Sequence, residues 1–99
     1  SFGDVELSEK DGKLTNTGNG QSVKLGAKEY QMMEMFLRNT GQILPKETMI
    51  ERIWGFENDA EYNNLEVYVS FLRKKLTFLG SGVKIKAARG LGYALEVEG

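Results

Sequence analysis

The sequence predicts a small α+β domain in which strands come first, helices follow and a β-hairpin closes the chain. Three observations lead to this class. Short alternations of apolar and polar residues, separated by glycine-containing turns, fill the first 25 residues, which is typical of strands. Apolar residues then recur every three or four positions from residue 28 to residue 79, which is the period of amphipathic helices. After residues 80–82 the alternation returns on both sides of a turn at residues 89–92, as a hairpin requires.

Composition excludes several classes of function. The 99 residues suffice for one hydrophobic core, and a hydrophobic fraction of 40% argues against disorder. With no Cys and no His, the chain lacks disulfides, the commonest metal ligand and the usual general base. Glu29 and Glu34 are carboxylates of the kind that act as acid and base, but no nucleophile–base pair and no glycine-rich strand-to-helix loop accompanies them. We therefore expect no enzyme, no catalytic residue, no metal and no cofactor.

Neither a membrane segment nor an export signal is visible in the sequence. No apolar run approaches the roughly 18 residues of a membrane span, and the first residues show no basic stretch followed by an apolar one. We expect a cytoplasmic protein with no membrane partner. Because the chain begins at Ser1 and not at Met, we also expect it to be part of a longer protein.

Charge is distributed unevenly along the chain. The net charge of −1 by itself argues against a nucleic-acid partner, because phosphate neutralisation is the main source of affinity for DNA. Between residues 62 and 93, however, six basic residues stand against one acidic residue, Glu66, a local balance of +5. Residues 47–61 are acidic instead, with five carboxylates against Arg52. This polarised distribution is compatible with a basic surface that contacts DNA.

The first 25 residues are expected to form a small antiparallel sheet. Residues 2–7 and 22–25 alternate, while Asp11-Gly12 and residues 17–20 supply the turns. Nothing in this segment is catalytic or basic enough to hold phosphate, so we interpret the sheet as a scaffold.

Two helices are predicted next. The first covers residues 28–39, and Gly41 stops it. Its methionines, Met32, Met33 and Met35, have the character of an adaptable binding surface, but we interpret them as core because methionine at helical spacing is usually core filler. The second helix runs from Pro45, which suits a first helical turn, through Trp54, which is expected to fill the core, to Gly55.

The segment that follows, residues 55–61, is an acidic loop with one aromatic residue. It has two interpretations. One is a solvated connector, which its composition alone favours; the other is a contact surface for a protein partner, because loops on a rigid scaffold often carry function.

The third helix, predicted over residues 62–76, has two different sides. One side is a narrow apolar stripe that we assign to the core, namely Leu65, Val69, Leu72, Leu76 and Leu79. The other side carries polar, cationic and apolar groups that point away from the core: Asn63, Val67, Ser70, Lys74 and Thr77, with Phe71 and Arg73 on its flanks. Such a side can recognise a binding partner.

The closing hairpin carries cations along one strand and at its tip. Lys84 and Lys86 alternate with Val83, Ile85 and Ala87, and Arg89 falls at or near the turn. These cations either reach a phosphate backbone or a narrow groove, or they belong to a solvated sheet edge.

Two segments carry a resemblance to a known family. Val67-Tyr68-Val69-x-x-Leu72-Arg73-x-Lys75-Leu76 and Arg89-Gly90-x-Gly92-Tyr93 are similar, in this order and separation, to the third helix and the hairpin of the C-terminal DNA-binding domain of OmpR/PhoB-type two-component response regulators. Further matching pieces extend the resemblance over almost the whole chain: Phe2-Gly3-Asp4, Leu25-x-x-x-Glu29, Asn39-x-Gly41-x-Ile43 and Ile50-x-x-Ile53-Trp54-Gly55.

The resemblance implies one winged helix-turn-helix domain over residues 1–99, with an N-terminal four-stranded antiparallel sheet, three helices and a hairpin that is the wing. It implies sequence-specific binding to double-stranded promoter DNA in bacterial transcription regulation, with the third helix in the major groove and the wing in the adjacent minor groove. It also implies a receiver domain elsewhere in the full-length protein, a sensor kinase that acts on it, and pairing of the protomers on DNA. Because the sequence shows no exposed heptad and no second apolar face, we expect the isolated domain to be monomeric.

The residues matching these roles are the expected DNA contacts: Asn63, Asn64, Glu66, Val67, Ser70, Phe71, Arg73, Lys74, Lys75, Lys84, Lys86 and Arg89. Family members use the loop before the third helix to contact RNA polymerase, which implies that role for Phe56, Glu57 and Asp59. A winged-helix module that binds proteins is the alternative, and the near-neutral net charge keeps it open.

The sequence departs from the family at two places. Gly26-Ala27 stands where many members carry Thr-Pro, which weakens a helix cap but not the function. Ser70-Phe71 stands where several members carry two arginines, so the target sequence cannot be transferred from relatives. Phe71 lies well off the core stripe. It either contacts a thymine methyl, the one apolar feature of a base edge in the major groove, or packs under the hairpin or against the second helix.

Overall fold

A computed structural model describes residues 2–55 and 61–97, and the side chains of these residues except those of residues 61–63. Three strands open the chain, β1 (Val5–Leu7), β2 (Lys13–Asn16) and β3 (Ser22–Lys24). They form one antiparallel sheet in the order β1-β2-β3.

The prediction of a four-stranded N-terminal sheet is wrong, because the sheet has three strands in the described chain. Phe2 makes only an isolated bridge to Val5, through two backbone hydrogen bonds of 3.1 Å. Gly3, with φ of 59°, turns the chain back between these two residues.

Helix α1 covers Ala27–Arg38, within one residue of its predicted limits. At its start the backbone N–H of Gly26 donates to Oε1 of Glu29 at 2.7 Å, and at its end the Asn39 side chain donates to the Met35 carbonyl at 2.8 Å. Met32 and Met33 are fully buried, which confirms the core interpretation for both.

Helix α2 covers Lys46–Trp54 and ends at Gly55, as predicted. Pro45 does not belong to its first turn, because its ψ of 142° is extended and it forms strand β4 (Leu44–Pro45) instead. Trp54 is half-buried at the edge of the core and does not fill its centre.

Helix α3, Glu61–Phe78, is the longest element of the described chain. All five residues of the predicted apolar stripe are buried, none with more than 2% of its surface exposed. They join the single core cluster that also contains Phe36 and Met49. This part of the prediction is confirmed.

The hairpin is formed by β5 (Val83–Ala88) and β6 (Gly92–Val97), and we call it the wing. The sequence predicted this hairpin but not the third strand of its sheet. β4 pairs with β6, so the strand order is β4-β6-β5. Gly92 permits this pairing, since a Cβ there would lie 1.9 Å from the Leu44 carbonyl oxygen.

The N-terminal sheet holds the C-terminal end of α3. The Asn16 and Asn19 side chains donate to the Leu79 carbonyl oxygen at 2.8 and 2.9 Å. Asp4 accepts from the Ser81 hydroxyl at 2.5 Å and from the Gly82 N–H at 3.0 Å. The sheet is thus a scaffold that fixes the position of α3. Within the described residues no helix is both long and apolar enough to cross a membrane.

Candidate nucleic-acid interface

The side of α3 that faces away from the core is exposed and chemically mixed. Asn64, Glu66, Ser70 and Lys74 are exposed polar residues on it. The exposed fraction is 44% for Val67 and 41% for Phe71. Polar and apolar groups that project together from one helix side are suited to the mixed edges of DNA bases.

Phe71 is held at the surface by an aromatic row. Its ring meets that of Tyr68 edge-on, with 5.5 Å between the centroids, and the Tyr68 ring lies 5.6 Å from that of Trp54 in α2. Edge-on aromatic contacts at this separation are favourable and fix ring orientation. Phe71 is therefore oriented by its own helix and remains accessible, and is not a core residue.

Arg73 joins α3 to the wing. Its Nε and Nη2 atoms donate to the Ile85 carbonyl oxygen of β5 at 3.1 and 2.8 Å. Its Cζ atom also lies 5.8 Å from the centre of the Tyr93 ring, within the range of a cation–π contact. These contacts use two of the five N–H donors of a guanidinium, so Arg73 is both a structural link and an exposed cation.

Lys75 lies apart from the other predicted DNA contacts. Its Nζ atom is 2.5 Å from Oε1 of Glu29, a residue of α1 with only 6% of its surface exposed, and it also donates to the Lys24 carbonyl at 3.2 Å. The same Glu29 oxygen accepts from Gly26 at the start of α1. Lys75 thus pairs a buried carboxylate and ties α3 to α1.

The wing presents its cations beside α3. Lys86 and Arg89 are exposed, Arg89 in the turn between β5 and β6. Lys84 is half-buried and lines a cleft of about 190 Å³ between α3 and β5, together with Arg73 and Thr77. One cation of each basic segment, Arg73 of α3 and Lys84 of the wing, therefore lines this cleft.

Sequence reasoning missed one cation of this region. Lys46, the first residue of α2, has its Nζ atom 5.9 Å from the centre of the Tyr93 ring and 3.8 Å from Oε2 of Glu66. Lys46 and Arg73 thus both contact Tyr93, and Lys46 pairs with a predicted DNA contact. The sequence identifies Lys46 as part of a helix start. It does not show that Lys46 lies beside Tyr93 and Glu66, because both residues are distant in the chain.

Some predicted site residues lie outside the described part of the structure. Phe56, Glu57 and Asp59, the predicted RNA polymerase contacts, fall in residues 56–60. Asn63 belongs to α3, but its side chain is outside the description.

Three helices with a β-hairpin beside the third are the architecture of the winged helix-turn-helix class. Comparison with known proteins agrees with this class and gives the family. The family model described as "Transcriptional regulatory protein, C terminal" matches residues 20–95. The chain belongs to this family.

Curated relatives share substantial sequence with it. Transcriptional regulatory protein DltR of Streptococcus agalactiae serotype III (strain NEM316) is 52% identical over 75 residues, covering 76% of this chain and 34% of the relative. Transcriptional regulatory protein CiaR of Streptococcus pneumoniae (strain ATCC BAA-255 / R6) is 37% identical over 92 residues, covering 93% of this chain and 39% of the relative. The chain thus spans well under half of these proteins. The relatives are OmpR/PhoB-type response regulators, as the resemblance implied.

Solved structures share the fold. The C-terminal domain of the nisin resistance regulator NsrR aligns with a TM-score of 0.78 at 29% identity, covering 96% of this chain and 93% of that one. The DNA-binding domain of response regulator AdeR, solved in complex with an intercistronic region, aligns with a TM-score of 0.83 at 19% identity over 99% of both chains. At the latter identity the likeness is one of fold.

Proposed function

We propose that this domain binds double-stranded promoter DNA in a sequence-specific manner, as the effector domain of a bacterial two-component response regulator. The observation that carries the proposal is the exposed side of α3 with the wing linked to it through Arg73 and Ile85. In this arrangement α3 lies in the major groove and the wing reaches the neighbouring minor groove.

The distribution of charge supports DNA as the partner. Lys74, Lys86 and Arg89 are exposed on α3 and the wing. Arg73 adds a further positive charge, although its guanidinium also donates two hydrogen bonds to Ile85. Cations in such positions contact phosphates and supply affinity without reading sequence. The apolar and polar groups between them, above all Val67, Ser70 and Phe71, are left to read base edges. We do not include Lys75 in this surface because it pairs with Glu29.

The wider assignments follow from the family and are proposals for the full-length protein. Residues 1–99 form one DNA-binding domain, a receiver domain lies elsewhere in the protein, and a sensor kinase acts on that receiver. The isolated domain is monomeric and pairs on DNA only in the full-length protein. Phe56, Glu57 and Asp59 contact RNA polymerase, and the protein acts in the cytoplasm, where promoter DNA is found. We assign the domain no enzymatic activity.

A salt titration tests the proposal against a protein-binding module. Log K for a selected duplex should fall with log salt, with a slope of about −0.9 for each phosphate contacted. Lys74→Ala and Arg89→Ala should each reduce that slope by about one, whereas Lys10→Ala, an exposed cation between β1 and β2, should leave it unchanged. Absence of salt-sensitive binding to any duplex from a random library would contradict the proposal and favour a protein partner.

A further inference from the structure

The tip of the wing carries an exposed apolar side chain next to its cation. The turn between β5 and β6 contains Arg89, Gly90 and Leu91. Leu91 has 61% of its surface exposed. A single exposed apolar residue is normal on a protein surface. What distinguishes Leu91 is its place in the turn of the wing, two residues after Arg89.

The backbone of this turn is closely defined. The Leu91 N–H donates to the Ala88 carbonyl at 2.8 Å, which closes the turn. Gly90 has φ of 74°, a conformation that favours glycine, and it sets the direction in which the chain leaves Arg89. Arg89 and Leu91 therefore belong to one short, hydrogen-bonded turn and are both exposed on it.

The base of the wing is fixed relative to α3. Gly92 lies against the Leu44 carbonyl of β4, Tyr93 is buried beneath Lys46 and Arg73, and Arg73 is hydrogen-bonded to Ile85. When α3 occupies the major groove, the position of the tip on the neighbouring minor groove follows from these contacts. In the proposed binding mode, in which the wing reaches the minor groove, a side chain at this tip faces the sugar walls and the floor of that groove.

The floor of the minor groove distinguishes only A·T from G·C pairs, and the group that differs is one to which an apolar side chain cannot hydrogen-bond. A·T and T·A pairs present only acceptors there, whereas G·C adds the protruding N2 amino donor. An apolar side chain against that amino group blocks its hydration and offers it no acceptor, which is costly for a polar group. Some proteins that bind the minor groove insert apolar side chains, leucine among them, between base steps, so leucine is compatible with this groove.

We infer that Leu91 is a specificity-determining residue of the wing, which selects A·T over G·C pairs in the minor groove by excluding the guanine amino group. Arg89 supplies attraction to the groove, and Leu91 supplies the discrimination. The inference rests on the proposed function, and it adds the class of base pair that the wing accepts.

Inosine separates this readout from reading in the major groove. An I·C pair resembles G·C in the major groove but lacks the N2 amino group, so it resembles A·T in the minor groove. In a duplex selected from a random library, each A·T pair is replaced in turn by G·C and by I·C, and the affinity of this domain is measured. At one or two pairs under the wing, G·C should weaken binding about fivefold or more, in the range of a mismatched pair, and I·C should restore it.

The variants assign the effect to a residue. In Leu91→Ala and Leu91→Ser, the difference between G·C and I·C at those pairs should fall below about twofold. Arg89→Ala should weaken binding to all duplexes but keep the difference. Val97→Ala, at the other end of the wing and also exposed, is the matched control and should keep both affinity and difference. Circular dichroism checks that each variant folds.

Several results would overturn the inference while leaving DNA binding intact. The first is that I·C weakens binding as much as G·C does at every position. The second is that the difference in affinity between G·C and I·C duplexes persists in Leu91→Ala. The third is that this difference is lost only in Arg89→Ala. Loss of salt-sensitive binding to every duplex would instead contradict the proposed function itself, and the inference with it.

Discussion

Phe71 is an aromatic residue on the exposed side of α3. Its ring is fixed by Tyr68 at 5.5 Å but leaves 41% of the residue exposed. We expect Phe71→Ala to cost clearly less stability than the roughly 3 kcal/mol of a core aromatic, because much of its ring is already in contact with solvent. It should relax the preference for thymine at one or two positions by about 1 kcal/mol.

Melting curves and selection from a random library measure the two effects of this substitution. Phe36→Ala is the control for a core aromatic, since Phe36 is only 1% exposed and should cost about 3 kcal/mol or more. A similar loss in Phe71→Ala, or an unchanged thymine preference, would contradict a base-reading role.

Lys74 and Lys75 are neighbours in sequence with different roles. Lys74→Ala should reduce the salt slope of DNA binding by about one without loss of stability, because Lys74 is exposed. Lys75→Ala should lower the free energy of unfolding by about 1 to 3 kcal/mol, because it leaves the carboxylate of Glu29 buried without its cation. Urea unfolding and salt titration of both variants test this, and the reverse pattern would show that Lys75 faces DNA.

At the scale of elements, Arg73 links α3 to the wing, and we expect this link to hold the wing in position. Arg73→Lys keeps the charge but removes the paired Nε and Nη2 hydrogen bonds to the Ile85 carbonyl oxygen. We expect a loss of about 1 kcal/mol of stability, faster hydrogen exchange in β5, and DNA binding weaker by roughly fivefold to tenfold with little change in salt slope. Lys74→Arg, at an exposed position of the same helix, should change none of these. Equal exchange rates in Arg73→Lys and the parent would contradict the role of this link.

The elements also show how far sequence reasoning reaches. The buried stripe of α3 from Leu65 to Leu79 was predictable because helical period alone decides which side is apolar. β4 was not, because Leu44-Pro45 is too short to alternate and a proline argues against a strand. The pairing of Lys75 with Glu29 was not predictable either, because periodicity locates a flank of a helix but does not say which distant residue covers it.

For the whole molecule, the contact between the N-terminal sheet and the end of α3 depends on pH. The Ser81 hydroxyl and the Gly82 N–H both donate to Asp4 and lower the pKa of its carboxyl below the usual 3.8. Because the pKa is lower in the folded state, the stabilisation is present above the pKa of the unfolded chain and is lost as pH falls through the folded value.

Asp4→Asn tests this dependence. The substitution should cost about 1 kcal/mol near neutral pH, and the difference from the parent should shrink as pH falls below about 4. Urea unfolding between pH 7 and the acid limit of folding measures it. Asp11→Asn is the comparison, because the Ser8 side chain and the Lys13 N–H lower the pKa of that carboxyl within one turn, without joining two parts of the fold. A difference independent of pH would exclude the proposed linkage.

We propose that one surface, formed by the exposed side of α3 and the tip of the wing, binds double-stranded DNA. Amide NMR spectra recorded during titration with a selected duplex test it most directly, because a chain of 11.1 kDa gives resolved signals. We predict that the largest shifts fall at Val67, Ser70, Lys74, Arg89 and Leu91, while Leu14 and Val23 of the N-terminal sheet move little. Largest shifts in the N-terminal sheet, or no shifts with any selected duplex, would contradict the account.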